Sequence, residues 1–121
     1  MRLNYIDNVD CLTGLKNIPD NSVDLVIADP PYGIDYQSNK KGRDRATPKI
    51  ANDKTPFIWW LYDAARVLKD TGALVCFARW DVQEAFRSCI GFAGLTVKNV
   101  CVWNKGGGGT RRLESTVYAR A

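Results

Sequence analysis

Histidine is absent from this 121-residue sequence, and no part of it is apolar for long. Without an imidazole, triads that use histidine as a base and most zinc sites are excluded, so we expect no metal. No apolar run approaches the ~20 residues that cross a bilayer, and the N-terminus has no signal-peptide pattern. The cysteines, which lie in apolar patterns, show no C-x-x-C spacing. We therefore expect reduced core thiols in a cytoplasmic protein that does not contact membranes.

Internal repeats, low-complexity tracts and domain linkers are also missing. A chain of this length with 45% hydrophobic residues can bury one modest core. We expect residues 1–121 to form a single domain.

Strand-like and helix-like segments alternate along the chain. Residues 24–28 and 73–78 are continuous apolar runs typical of buried strands, and residues 95–103 predict a longer strand that residues 115–119 join as a hairpin. Thr55 and Pro56 predict the start of a helix whose apolar face continues to Leu68, and Asp81 with Glu84 resembles a capping box before a second helix. Residues 3–9 predict a short strand, and residues 11–17 a helical turn or two. This alternation predicts an α/β domain with a mostly parallel sheet and a C-terminal antiparallel hairpin.

The most informative feature is Asp29-Pro30-Pro31-Tyr32, which directly follows the apolar run at 23–28. In open α/β sheets, ligands bind at the carboxyl ends of the strands, where this tetrapeptide lies. The prolines have a fixed φ and no N–H, so the carbonyl groups of Asp29 and Pro30 can point outward as acceptors while Tyr32 presents a flat face. Acceptors beside an aromatic ring suit a planar amine, such as a nucleobase taken out of its stack. The alternative is a strand that merely ends in a proline turn.

Together with its surroundings, this motif resembles the SAM-dependent DNA methyltransferases that act on exocyclic amines, in the branch whose DPPY motif comes early. Further similar segments follow in the order of that branch, at residues 51–53, 66–69, 72–74 and 102–105. The resemblance implies that Asp29, Pro30, Pro31 and Tyr32 are catalytic and that S-adenosylmethionine (SAM) is the cofactor. It also implies that Asp10 and Asp29 contribute to binding this cofactor. An acidic first residue in the motif favours adenine N6 over cytosine N4 as the target.

The glycine-rich cofactor loop of that family, an F-x-G-x-G pattern after a strand, does not occur in residues 1–121. The four glycines at 106–109 do not replace it, because no apolar helix pattern follows them to supply the helix N-terminus that such a loop needs. The expected fold is therefore a partial Rossmann-like methyltransferase sheet that lacks the cofactor-loop strands. Residues 24–28 would then be an exposed apolar edge. We expect residues 3–9, a second copy in a homodimer or a complementing protein chain to cover this edge, and we prefer pairing with another chain.

The net charge of +4 is concentrated in one stretch that follows the motif and has no apolar periodicity. Its basic residues are Lys40, Lys41, Arg43, Arg45 and Lys49. A charge run of this kind is commonly a solvated surface loop. Beside a candidate base pocket, we expect it to contact the phosphates of DNA.

Two classes of function remain open at this point. One is an enzyme that transfers a methyl group from SAM to the N6 amine of adenine in DNA and is incomplete on its own. The other is a methyltransferase-like protein without catalysis that binds DNA, or that acts as an inhibitor or adaptor of another protein. The motif favours the enzyme, whereas the missing F-x-G-x-G pattern favours the binding protein.

Overall fold

The computed structural model describes residues 3–35, 49–103 and 114–120, the last of these for the backbone alone. The chain begins with a short helix α1 (Cys11–Gly14) that continues as a 3₁₀ turn (Leu15–Asn17). The remaining elements are β1 (Val23–Ala28), α2 (Leu61–Val67), β2 (Leu68–Arg79), α3 (Gln83–Phe92), β3 (Thr96–Trp103) and β4 (Glu114–Arg120). None of the helices in these ranges is long and apolar enough to cross a membrane.

The strands form one sheet in the order β1-β2-β4-β3. Strand β1 pairs in parallel with β2, while β4 runs antiparallel to both β2 and β3, so three strands share one direction. The predicted α/β class, with a mostly parallel sheet and a C-terminal antiparallel hairpin, is confirmed. Ala28 pairs with Cys76, which brings the carboxyl ends of β1 and β2 to the same edge of the sheet.

The core lies on one face of this sheet. Leu74, Cys76 and Ala78 alternate along β2 toward that face, where they pack against α2 and α3. Each helix has an apolar stripe at helical spacing, because Leu61 and Ala64 of α2 and the α3 residues around Phe86 are buried. Helix α1 and its 3₁₀ turn pack against the same cluster. The helices in the described part of the chain therefore cover one side of the sheet.

Strand β1 is confirmed, but it is an edge strand and is not buried on both faces as its apolar run suggested. Leu25 and Ile27 are 50% and 66% exposed, and they point away from the helix-covered face. Ile27 pairs with Val75, so these side chains share the second face of the sheet with Phe77, whose ring contacts that of Trp103. Within residues 3–35, 49–103 and 114–120, β1 is therefore the exposed apolar edge that the sequence predicted.

Two element predictions near this edge are wrong. Residues 3–9 form no strand; they are exposed, and Asn4 has a positive φ of 56°. The helix predicted from Thr55 begins only at Leu61, because Pro56 forms an antiparallel bridge with Tyr32 and residues 55–57 are held against the loop that follows β1. Leu68, predicted on that helix, is the first residue of β2.

Two side-chain predictions are also corrected. Asp81 does not cap α3, whose N-cap residue is Val82 without a side-chain hydrogen bond; Asp81 instead pairs with Arg79. Cys76 and Cys89 are buried as expected, but Cys11 and Cys101 are exposed. A short sequence pattern reports neither which neighbour a side chain pairs with nor whether its position is buried in the fold.

Candidate active site

The loop after β1 places the predicted motif at the carboxyl end of the strand. Asp29 is exposed, Pro30 is buried, and Tyr32 is half-buried. The Tyr32 hydroxyl donates a hydrogen bond to Asp29 Oδ1, so the two side chains orient each other. Asp29 takes part in no ion pair in the described part of the chain, and the Tyr32 ring is not taken into the core. A carboxylate and an aromatic ring thus stand together at the ligand end of the sheet.

The carbonyl groups of the two prolines have different surroundings. The Pro31 carbonyl accepts a hydrogen bond from the Phe57 N–H at 3.1 Å, next to the bridge between Tyr32 and Pro56. Within the described ranges, no hydrogen bond to the Pro30 carbonyl is formed. The Pro30 oxygen is therefore an available acceptor beside Asp29, whereas Pro31 anchors the loop.

Asp53 holds the other end of this loop. It is 3% exposed, and its Oδ1 accepts hydrogen bonds from the N–H groups of Gly33 at 2.8 Å and Ile34 at 3.3 Å. Its backbone carbonyl accepts a third from the Asp35 N–H at 2.6 Å. The sequence predictions gave no role to Asp53, which stood only within a segment similar to the methyltransferases. A useful signal was the turn-forming pair Asn52-Asp53 shortly before Pro56.

Two cavities share Asp29, Pro30 and Pro31 in their linings. The first, of about 300 Å³, is completed by Tyr32, Ile34, Ile50 and Asp53. The second, of about 320 Å³, is lined mainly by apolar side chains of α1, β1 and α2 and by Phe57 and Trp60. Three residues of the motif therefore contribute both to a pocket with polar groups and to an apolar pocket.

Asp10 is exposed at the start of α1. Its Oδ1 accepts hydrogen bonds from the N–H groups of Leu12 at 2.9 Å and Thr13 at 3.3 Å, which makes it the N-cap of this helix. The adjacent residue, Cys11, lines the apolar cavity. Asp10 thus stands beside that cavity, and its predicted role in cofactor binding stays a prediction.

Charges behind the motif are arranged around the end of β2. The hydrogen bond with Asp81 raises the pKa of Arg79, to which the negative charge of Asp53 adds a smaller contribution. Burial, and secondly the charge of Asp29, raises the pKa of Cys76 to about 12. The Cys76 thiol is therefore neutral at physiological pH and does not compete as a nucleophile.

Most of the predicted DNA-contacting residues lie outside the described residues: Lys40, Lys41, Arg43 and Arg45. Lys49 is described, and its Nζ lies 2.8 Å from Asp35 Oδ2. In residues 3–35 and 49–103, no group of three potential ligands is placed to hold a metal ion.

Comparison with known proteins identifies the family. The family model described as "DNA methylase" matches residues 23–119. The chain belongs to the N6/N4 DNA methyltransferase family. It is 34% identical over 100 residues to YubD of Escherichia coli (strain K12), covering 79% of this chain and 40% of that protein. It is 30% identical over 119 residues to the type II methyltransferase M.HinfI of Haemophilus influenzae, covering 85% and 32% of the two chains.

Solved structures agree with this assignment at the level of the fold. The structure of M1.HpyAVI matches with a TM-score of 0.61 at 19% identity, over 92% of this chain and 51% of that one. TTHA0409 from Thermus thermophilus matches with a TM-score of 0.63 at 16% identity, over 92% and 50%. M1.HpyAVI has also been solved as a complex with SAM. This N6/N4 DNA methyltransferase chain thus spans about half of the structures, and less than half of the curated relatives, that it matches.

Proposed function

We propose that this chain forms the catalytic half of an enzyme that transfers a methyl group from SAM to the N6 amine of adenine in DNA. The observation that carries the proposal is the position of Asp29-Pro30-Pro31-Tyr32, which directly follows β1 and whose first three residues line both cavities. One cavity would receive the target base, and the other would receive the methyl donor.

The target amine would bind on the Tyr32 side of the motif. An exocyclic amine is a poor nucleophile because its lone pair is delocalised into the ring. Asp29 and the Pro30 carbonyl would accept its two N–H groups, favour a more tetrahedral nitrogen and stabilise the positive charge that develops there. The hydrogen bond from Tyr32 to Asp29 Oδ1 would orient the carboxylate. The Tyr32 ring would stack on the base, a contact worth ~1–3 kcal/mol.

The apolar cavity fits the adenosyl part of SAM. Phe57 and Trp60 supply flat apolar surface for a purine ring, and the carboxylate of Asp29 at the rim suits the positive charge of a sulfonium. When bound, SAM supplies an electrophilic methyl group. The residues of this chain would hold the adenosyl group, keep water away from the amine and fix the direction of approach. Asp10, at the start of α1 beside this cavity, is our candidate for a further contact with the adenosine.

The choice of adenine over cytosine rests on the acidic first residue of the motif, Asp29, through its resemblance to the adenine enzymes. We propose DNA as the substrate because the family acts on it and because the basic stretch follows the motif directly. Lys40, Lys41, Arg43, Arg45 and Lys49 would contact phosphates, which makes the affinity dependent on salt.

We further propose that the exposed edge of β1 pairs with another chain, either a second copy or a complementing polypeptide. Leu25 and Ile27 give this edge and its adjoining sheet face an apolar surface. Sheets with parallel strands normally have both faces covered and their edges protected. Gel filtration tests this proposal, because a compact monomer at micromolar concentration would contradict it.

The experiment that tests the enzymatic proposal follows a labelled methyl group from SAM into DNA, with nucleoside analysis of the product. We expect N6-methyladenine, and an Asp29→Ala substitution is expected to lower the rate about 100-fold or more. The matched control is Asp24→Ala, which removes an equally charged side chain that is 79% exposed and pairs with Lys69. Calorimetric titration with SAM measures cofactor binding separately.

Each outcome has a defined meaning. Production of N4-methylcytosine would correct the target base while leaving the reaction type in place. DNA binding without SAM binding or methyl transfer, unchanged in Asp29→Ala, would refute the enzyme and support a binding protein.

A further inference from the structure

We infer that Asp53 is a positioning residue, which sets the conformation of the loop that carries Asp29 and Tyr32 through the backbone N–H groups of Gly33 and Ile34. This inference rests on the function proposed above, because the loop is the wall of the base pocket. Asp53 belongs to neither the motif nor the strand that carries it, and it lies 20 residues beyond Gly33 in sequence.

The geometry of Gly33 shows why the loop needs an external partner. Gly33 has a φ of +82°, which turns its N–H and that of Ile34 toward the same carboxylate oxygen. Consecutive N–H groups pointing into one concavity form a site for an anion. Asp53 Oδ1 fills this concavity from within the protein, so both donors are satisfied by the same buried residue.

The burial of Asp53 makes these hydrogen bonds strong. An ionised acceptor forms stronger hydrogen bonds than a neutral one, and a carboxylate that is 3% exposed has little competing solvent. Arg79 lies close enough for the negative charge of Asp53 to raise its pKa, while its guanidinium bonds Asp81. A favourable positive charge at the end of β2 therefore accompanies the buried carboxylate, which reduces the cost of its burial.

The same segment braces the loop at a second point. The backbone carbonyl of Asp53 accepts from the Asp35 N–H, and the Phe57 N–H donates to the Pro31 carbonyl. The hydrogen bonds to Pro31, Gly33, Ile34 and Asp35 thus hold the backbone before and after Tyr32 in the sequence. Removal of the Asp53 side chain leaves the motif residues intact but frees the Gly33 end of the loop, next to Tyr32 and Ile34, which line the first cavity.

The test measures the loop directly, by NMR detection of amide hydrogen exchange in the 121-residue chain. Asp53→Ala is expected to accelerate exchange at Gly33 and Ile34 by about tenfold or more. Asp53→Asn retains an acceptor oxygen of the same shape, so it should rescue most of the protection. Asp24→Ala is the control, since it removes one exposed carboxylate and should leave both amides unchanged.

A second measurement connects the loop with the base pocket. Binding of a single-stranded oligonucleotide that contains 2-aminopurine, followed by its fluorescence, is expected to weaken about tenfold in Asp53→Ala and much less in Asp53→Asn. The circular dichroism spectrum and the exchange of β2 amides should stay unchanged, which a general structural role would not allow.

Unchanged exchange at Gly33 and Ile34 in Asp53→Ala would overturn the inference, and so would equal affinity of this variant and the wild type for the oligonucleotide. An acceleration that extends equally through β2 and α3 would also overturn it, because Asp53 would then support the whole fold. If the wild-type chain binds no 2-aminopurine while the two amides respond as expected, the proposed function fails and the bracing contact is supported.

Discussion

Gly33→Ala is the sharpest test of the loop that follows β1. At this position φ is +82°, and a Cβ would lie 2.5 Å from both the Pro56 nitrogen and the Thr55 carbonyl carbon. These are backbone atoms, so no side-chain rotation can relieve the contact. The residues around Thr55 must move, and the hydrogen bond from Phe57 to Pro31 and those accepted by Asp53 are strained with them.

The expected loss follows from two contributions. The left-handed backbone conformation costs a residue with a Cβ about 1–2 kcal/mol. Each hydrogen bond that the displaced segment loses adds about 1 kcal/mol. We therefore expect the free energy of unfolding to fall by about 3 kcal/mol in Gly33→Ala, measured by urea unfolding, together with a marked loss of oligonucleotide binding.

Two other glycines separate these contributions. Gly94 has nearly the same φ, +85°, but a Cβ there meets nothing within 4 Å, so Gly94→Ala should show the conformational cost of about 1–2 kcal/mol alone. Gly91 lies in α3 with open space around it, and alanine is the better helix former there by up to ~1 kcal/mol. The reasoning is refuted if Gly33→Ala and Gly94→Ala have the same stability and the same affinity for the oligonucleotide.

Four further substitutions or conditions test other parts of the structure. Asp29→Ala should lower the rate of methyl transfer about 100-fold or more yet change the free energy of unfolding by no more than about 0.5 kcal/mol, because the carboxylate is exposed; a large loss in urea unfolding would contradict this. Phe86→Ala should cost about 3–5 kcal/mol by the same measurement, since this ring is fully buried in the core, and a cost near 1 kcal/mol would contradict that packing. Burial raises the pKa of Cys76 from 9.0 to about 12, so above pH 9 the thiol ionises in the unfolded chain before it ionises in the folded one. The stability that this difference contributes is complete below pH 9 and is lost as the pH rises toward 12. Cys76→Ala should remove this loss from the measured dependence of stability on pH. Leu25→Lys with Ile27→Lys should leave the monomer within about 0.5 kcal/mol of wild type but weaken association in gel filtration, and unaltered association would exclude this edge as the contact.

The fold could be predicted from the sequence where a pattern reports burial directly. The apolar run at 73–78 lies within β2, and the segments at 95–103 and 115–119 form the antiparallel pair β3 and β4. Predictions failed where a side-chain or backbone partner outside the sequence pattern decided the local structure. Thr55 and Pro56 carry good helix-start signals, yet the bridge to Tyr32 holds this segment outside α2. Asp81 has the spacing of a cap, but the guanidinium of Arg79 is a stronger partner than a helix N–H.

The candidate site also contains residues that the sequence predicted and one that it did not. The position of Asp29 and Tyr32 at the end of β1 followed from the apolar run directly before them and from the two prolines, which have no N–H to continue the strand pairing. Asp53 could not be found by that route. An aspartate within a polar stretch is ordinarily exposed, and only the folded chain brings its carboxylate to the N–H groups of Gly33 and Ile34.

The two prolines explain how one short loop can serve two cavities. In the proposed reaction, the amine and the methyl donor occupy the two cavities that Asp29, Pro30 and Pro31 line in common. Neither proline has an N–H, so neither competes with the amine for the Asp29 carboxylate or the Pro30 carbonyl. Their fixed φ also keeps the loop in one conformation, provided that its Gly33 end is held. We assign this role to Asp53. An in-line transfer tolerates little displacement between the reacting atoms. A loop of the same composition without this brace would therefore bind an adenine base more weakly than the loop with Asp53 in place.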